Sequence, residues 1–176
     1  MKFNFYALRA IYLHEMDRFR RTLLQSLLSP VLSTSLYFIV FGSVIGDYVE
    51  SIDGLSYGSY IVPGLLMLTL LTQSISNTSF GIFFPKFNGT IYEILAAPIS
   101  TFEVVLAFVG AGATKTLIVG VVIFVTSLFF VDVTVKYPLL MIFLLVLVAF
   151  TFALFGFLIG LMSSNFEQMS IVPTLV

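Results

Sequence analysis

Lys115 is the one charge inside an otherwise apolar stretch, Val104–Val131, and a charge at membrane depth is costly enough to mark a functional candidate. A second run carries a polar stripe of Thr69, Thr72, Gln73, Ser76, Asn77 and Thr78. Such a stripe can line a path for a polar or amphipathic substrate. It can equally join helices through hydrogen bonds of roughly 0.6 kcal/mol each, and both readings stand. A third candidate lies in Phe84–Ser100, where Pro85 and Pro98 bracket Lys86, Asn88, Gly89, Glu93 and Leu95. Proline favours helix starts and stops, and Ile91, Ile94 and Leu95 share a face at helical spacing. The segment reads as a short amphipathic helix with Lys86, Asn88 and Glu93 on its polar side. It reads either as an ordinary connector or as a helix lying parallel to the membrane.

What is missing narrows the chemistry. The sequence has no G-x-x-x-x-G-K-[ST] phosphate loop. It also lacks an intramembrane carboxylate pair and a nucleophile with a neighbouring histidine. Cysteine is absent and His14 is the single histidine, so thiolate sites and imidazole pairs cannot be built from one copy. No catalytic residue, metal site or cofactor is expected, and any work must draw energy from a partner or a gradient. A formal net charge of -1 gives no bulk basic field for nucleic acid.

The elements that must hold these residues follow from composition. Of 176 residues, 59% are hydrophobic and 10% charged, and mean hydropathy is +1.10. Soluble domains carry about 25% charged residues, so this chain lacks the polar surface to dissolve, which excludes an ordinary cytosolic enzyme. Thr22–Gly46, Gly54–Pro85 and Tyr137–Phe166 are free of charge. Each exceeds the roughly 20 residues a helix needs to cross the hydrocarbon core. With the Lys115 stretch they predict four membrane helices, over 23–45, 60–82, 108–130 and 139–162. Backbone groups in lipid must be paired internally, and continuous runs without alternation favour helices over barrel strands. The fold class is all-α: a polytopic transmembrane helix bundle.

Charge placement sets the orientation. Lys2, Arg9, Arg18, Arg20 and Arg21 precede the first span, whereas Gly46–Ser59 holds only Asp47, Glu50 and Asp53 as charges. Positive residues stay inside, so the N-terminus is expected in the cytoplasm and Phe83–Glu103 on the same side. Tyr48, Tyr57, Tyr60 and Tyr137 then fall at the outer boundary, where amphipathic rings prefer to sit. Residues 1–21 read as an interfacial helix with Phe5, Leu8, Tyr12, Met16 and Phe19 on one face and His14, Arg18 and Arg21 on another. It either transmits movement or simply supplies the topology signal. Counting back about 20 residues from Phe130 puts the inner edge near Ala111. Lys115 is then shallow enough for its stem to carry the ammonium to the surface. Gly156-x-x-x-Gly160, Gly110, Gly112 and Gly120 would permit close helix contact.

Tyr57–Leu66 (YGSYIVPGLL), Asn77-Thr78-Ser79, Gly89–Ser100 (GTIYEILAAPIS) with Glu103, and Gly156–Val176 resemble the ABC-2 type permeases, the membrane subunits of bacterial ABC exporters. The resemblance covers nearly the whole chain in order. It implies one transmembrane domain over 1–176, an interfacial helix over 1–21, and a cytoplasmic coupling helix over 86–97 docked on a separate ATPase subunit. The coupling residues would be Lys86, Gly89, Glu93, Leu95 and Pro98. Thr69, Gln73, Ser76, Asn77 and Lys115 remain pathway or packing candidates. It further implies a bacterial inner-membrane location, a second permease subunit in a homo- or heterodimer, and alternating access driven by ATP in the partner. Membrane lipid surrounds the bundle. Relatives have six spans, whereas residues 170–176 only begin a fifth, so the sequence is expected to be a fragment. A structural subunit of a membrane complex, or an enzyme whose site lies in the remaining part, are the alternatives that the residues leave open.

Overall fold

A computed structural model describes residues 3–45, 56–133 and 135–175. Lys2, Asp47, Tyr48, Glu50 and Asp53, used above for orientation, lie outside the described residues. The chain runs α1 (Phe5–Arg21), α2 (Leu23–Tyr37, continued by a π-helical stretch Phe38–Ile45), α3 (Tyr57–Asn88), α4 (Ile91–Ala96), α5 (Thr101–Ser127), α6 (Pro138–Met162) and α7 (Phe166–Leu175). Among the described residues, four helices are long and apolar enough to cross a membrane: Leu23–Phe41, Tyr57–Asn88, Thr101–Ser127 and Pro138–Met162. The protein is an all-α, polytopic helix bundle.

Helix ends are set by local capping, not by the thickness of the hydrocarbon core, and two helices therefore outrun the expected spans. Ser56 accepts the backbone N–H of Ser59, which starts α3 at Tyr57. Ser100 and Glu103 form a reciprocal capping box that starts α5 at Thr101, well before the expected Phe108. The expected helix over 86–97 is also redrawn. Pro85 sits inside α3, which continues through Lys86 to Asn88. The break falls at Gly89, whose φ of 80° is left-handed and suits glycine. Only Ile91–Ala96 forms the separate helix α4.

Packing centres on α3, which lies against both α5 and α6, while α1 and α2 pack on α5 and α7 on α3. Between them sits a core of Ile82, Val104, Phe108, Val109, Ala113, Ala149, Ala153 and Phe157. Lipid tails are as apolar as these side chains, so close van der Waals fit must hold the helices together. The small residues supply that fit. A Cβ added at Gly156 would lie 2.5 Å from the carbonyl oxygen of Ile75 and 2.8 Å from its Cα. At Gly160 it would meet the Ser79 carbonyl at 2.5 Å. The backbones of α3 and α6 thus touch along the Gly156-x-x-x-Gly160 face. Buried Ser74 adds an interhelical hydrogen bond, its hydroxyl donating to the Ala149 carbonyl at 2.6 Å.

The topology places α1, α4, the start of α5 and the α6–α7 junction at one end. At the opposite end, the Ser59 hydroxyl donates to the Asp132 carbonyl at 3.0 Å, and Phe38 stacks on Phe130 at 5.7 Å. Tyr60 and Tyr137 are exposed there.

Candidate functional site

Most of the sequence-derived candidates fall into two places. Around α4, each flanking span is anchored. Lys86, on the last turn of α3, donates from Nζ to the carbonyls of Leu161 at 2.7 Å and Ser163 at 2.9 Å. A cation on the free carbonyls at a helix C-terminus satisfies them and complements the helix dipole. Beside it, Phe83, Phe87 and Phe166 meet edge to face at 4.8 and 5.0 Å, joining α3 to the start of α7. On the other flank, Glu103 accepts the Ser100 N–H at 2.7 Å and the Asn4 backbone N–H. The Asn4 amide also donates to the Pro98 carbonyl at 3.4 Å. The start of α1 is thereby tied to the α4–α5 corner.

Between these anchors α4 buries no side chain. Glu93 and Leu95 are exposed, as are Tyr92, Phe87 and Phe102. Three of these are more than two-thirds exposed apolar rings or chains: Tyr92 at 73%, Leu95 at 67% and Phe102 at 68%. The result is a rigidly held, outward-facing apolar knob with a carboxylate on it.

The second place is a buried ionic cluster. Lys115 Nζ donates to Glu15 Oε2 at 2.7 Å, and both side chains are 3% exposed. Arg18 reaches the same oxygen at 2.8 Å and lies over the Phe80 ring, 5.5 Å from its centroid. Lys115 therefore does not extend its stem to the surface as expected. Instead, α1 brings a carboxylate to it. A buried ammonium is tolerable only when paired. Gly81 makes room, since a Cβ there would lie 3.3 Å from Glu15 Oε2.

Glu15 is the residue that sequence reasoning missed. Its signal was present, for Leu8, Tyr12, Glu15 and Phe19 follow one helical stripe, and that stripe faces α5. Tyr12 donates its hydroxyl to Thr114 at 3.0 Å, Glu15 and Phe19 are buried, and Phe5 stays 60% exposed. Glu103 entered only through the family pattern, although Ser100-x-x-Glu103 is a legible capping box.

The polar stripe divides. Thr69 and Thr72 return their hydroxyls to Leu65 and Leu68 of their own helix, and the Asn77 amide donates to Gln73 at 3.4 Å. Ser76 and Asn77 line a cavity of about 470 Å³ together with Arg18 and Lys115. No such grouping forms for Thr69 or Lys86, which sit elsewhere in the bundle.

A family model described as the ABC-2 type transporter matches residues 6–176. The chain belongs to this family. As an ABC-2 type transporter chain it is also similar to the inner membrane transport permease YadH of Escherichia coli K12. The two are 39% identical over 170 residues, which cover 97% of this chain and 66% of the relative. The Shigella flexneri protein of the same name matches to the same extent. The chain thus spans about two thirds of the length of these curated relatives. No solved structure matches it significantly. Membership places the chain among the membrane permease subunits of this transporter type.

Proposed function

We propose that this chain is the membrane-spanning part of an ATP-driven exporter, with its N-terminus and α4 in the cytoplasm of a bacterial cell. A separate ATPase subunit docks on α4, and a second permease subunit completes the transporter. Closure of the ATPases pushes on α4, and alternating access follows as the spans on either side move. Glu93, Leu95 and Tyr92 form the docking face, while Gly89, Lys86 and Pro98 fix its angle to the spans. The inner membrane is the expected location, as it is the one named for the YadH relatives.

The observation that carries this reading is an exposed short helix with both flanks fastened. A short helix that buries no side chain gains little from the bundle, yet Lys86 and Glu103 hold the helices on either side of it. Rigid flanks transmit force, whereas a plain connector needs none. Apolar groups at this density on a surface also mark a contact with another protein.

A photo-crosslinking residue at Tyr92 of the full-length protein should capture a polypeptide bearing a phosphate loop, identified by mass. The same residue at Phe143, exposed on α6, should not. Capture at both positions or at neither would sink the docking assignment. The purified permease alone should hydrolyse no ATP, and Glu93→Ala should lower ATP-linked transport while membrane insertion stays normal.

A further inference from the structure

The cavity beside the Glu15–Lys115 pair has no part in the docking of α4. It opens where α1 gives way to α2, and its wall is built from α1, α2, α3, α5 and α7. Among the described residues, two cations line it, Arg18 and Lys115, and the one carboxylate paired with them is Glu15, so these three groups carry one net positive charge. Both cations meet the same carboxylate oxygen. Arg18, partly exposed into the cleft, retains further N–H donors on its fork. Neutral hydrogen-bonding groups surround it: Gln25, Ser26, Ser76 and Asn77. The remaining wall mixes the hydroxyl residues Thr22, Ser79 and Ser170 with the apolar Phe19, Phe80, Met169 and Pro173.

Each feature selects for ligand chemistry. An excess cation in a semi-enclosed site favours an anion, and a guanidinium favours a planar or tetrahedral oxyanion such as phosphate. Amide and hydroxyl groups around it suit the remaining oxygens of a polar head. Aromatic and aliphatic walls exclude a bare ion, which prefers its hydration shell, and suit a molecule with an apolar continuation. The sequence pattern of α1 is that of an interfacial helix, and on that reading the cavity at its end lies at headgroup depth. We propose that this cleft binds the phosphate-bearing headgroup of a membrane lipid, with Arg18 on the phosphate, Asn77 and Ser26 on its flank, and Lys115 supplying the surrounding positive potential.

The site can be tested on the full-length protein in neutral detergent by native mass spectrometry. Three probes are titrated: dioleoyl phosphatidylglycerol, dioleoylglycerol, which lacks the phosphate, and inorganic phosphate. Phosphatidylglycerol should bind in a saturable manner and dioleoylglycerol at least about tenfold more weakly, the loss typical of removing a charged hydrogen-bonding partner. Arg18→Gln should weaken phosphatidylglycerol to a similar degree, and Arg18→Lys by less. Arg9→Gln, on an exposed position of α1, should leave binding unchanged. Because Arg18 also contacts Glu15, Asn77→Ala and Ser26→Ala provide a second arm that spares the ionic cluster. If Arg18→Gln fails to fold, that arm decides. Equal binding of phosphatidylglycerol and dioleoylglycerol would overturn the proposal, as would wild-type binding in Arg18→Gln or in the Asn77→Ala, Ser26→Ala pair. Binding of inorganic phosphate without phosphatidylglycerol would overturn the lipid assignment.

Discussion

Glu15 and Lys115, a hundred residues apart in the chain, form an ion pair of 2.7 Å in which each side chain is 3% exposed. It fastens α1 to α5 from inside the bundle. Removing one member of a buried pair leaves the other charge uncompensated, typically at about 3–5 kcal/mol. The two single substitutions should differ, because Arg18 also contacts Glu15. Lys115→Met leaves the carboxylate one cation, whereas Glu15→Leu leaves Lys115 buried without a counter-charge. Glu15→Leu should therefore lower the thermal midpoint in detergent more than Lys115→Met. The double variant should recover much of the loss. A double variant as unstable as the sum of the singles would show that the pair is not the fastening.

The glycines of α6 should divide from those that face open space. At Gly156 an added methyl meets the backbone of Ile75, which cannot rotate away. Gly156→Ala should destabilise by about 1–3 kcal/mol, the usual range for overpacking. At Gly64, nothing lies within 4 Å of an added Cβ, and alanine favours helix over glycine by about 1 kcal/mol. Gly64→Ala should thus be neutral or mildly stabilising. Denaturant titration of both variants in the same detergent checks the contrast. Equal effects would mean that α3 and α6 do not approach as closely as described.

These two relationships show what was legible beforehand. Four spans and a helical bundle could be read because hydrophobic length alone dictates them, and the Gly156-x-x-x-Gly160 spacing announced a close contact without naming α3 as its partner. The helices α3 and α5 run beyond the expected membrane segments because Ser56, Gly89 and the Ser100–Glu103 box start and stop helices independently of membrane thickness. Read from its own helix alone, Lys115 is a snorkelling side chain, yet it is buried against Glu15. Its partner sits on a helix read as a surface element. Pairing across a hundred residues depends on how helices stack, which periodicity within one helix cannot report.

Lys86 should have a local effect that global stability would not resolve. Its Nζ closes the end of α6 through the Leu161 and Ser163 carbonyls. Lys86→Met removes two charge-assisted hydrogen bonds, and solvent replaces part of what is lost at this half-open position. The expected cost is about 1–2 kcal/mol, felt mainly in the last turn of α6. Hydrogen–deuterium exchange should rise around residues 160–166 while the middle of α6 stays protected. Lys86→Arg should restore most of the protection, and a uniform rise along α6 would argue against the capping role.

Glu103 has two duties that substitution can separate. One carboxylate oxygen accepts the Ser100 N–H and closes the α5 capping box, and the other accepts the Asn4 N–H. Glu103→Gln keeps an acceptor oxygen but exchanges the other for a donor, so one of the two backbone N–H groups must lose its partner. The capping geometry is local, fixed by three residues of sequence separation, whereas the Asn4 contact closes a loop of 99 residues and costs more entropy to maintain. The distant contact should therefore yield first. Limited proteolysis should cut within residues 3–9 of Glu103→Gln sooner than in the wild type, with the start of α5 still protected. Ser100→Ala should do the reverse, fraying the first turn of α5 while Glu103 keeps Asn4. If both variants open both segments together, the corner behaves as a single cooperative unit and the two duties cannot be assigned to separate oxygens.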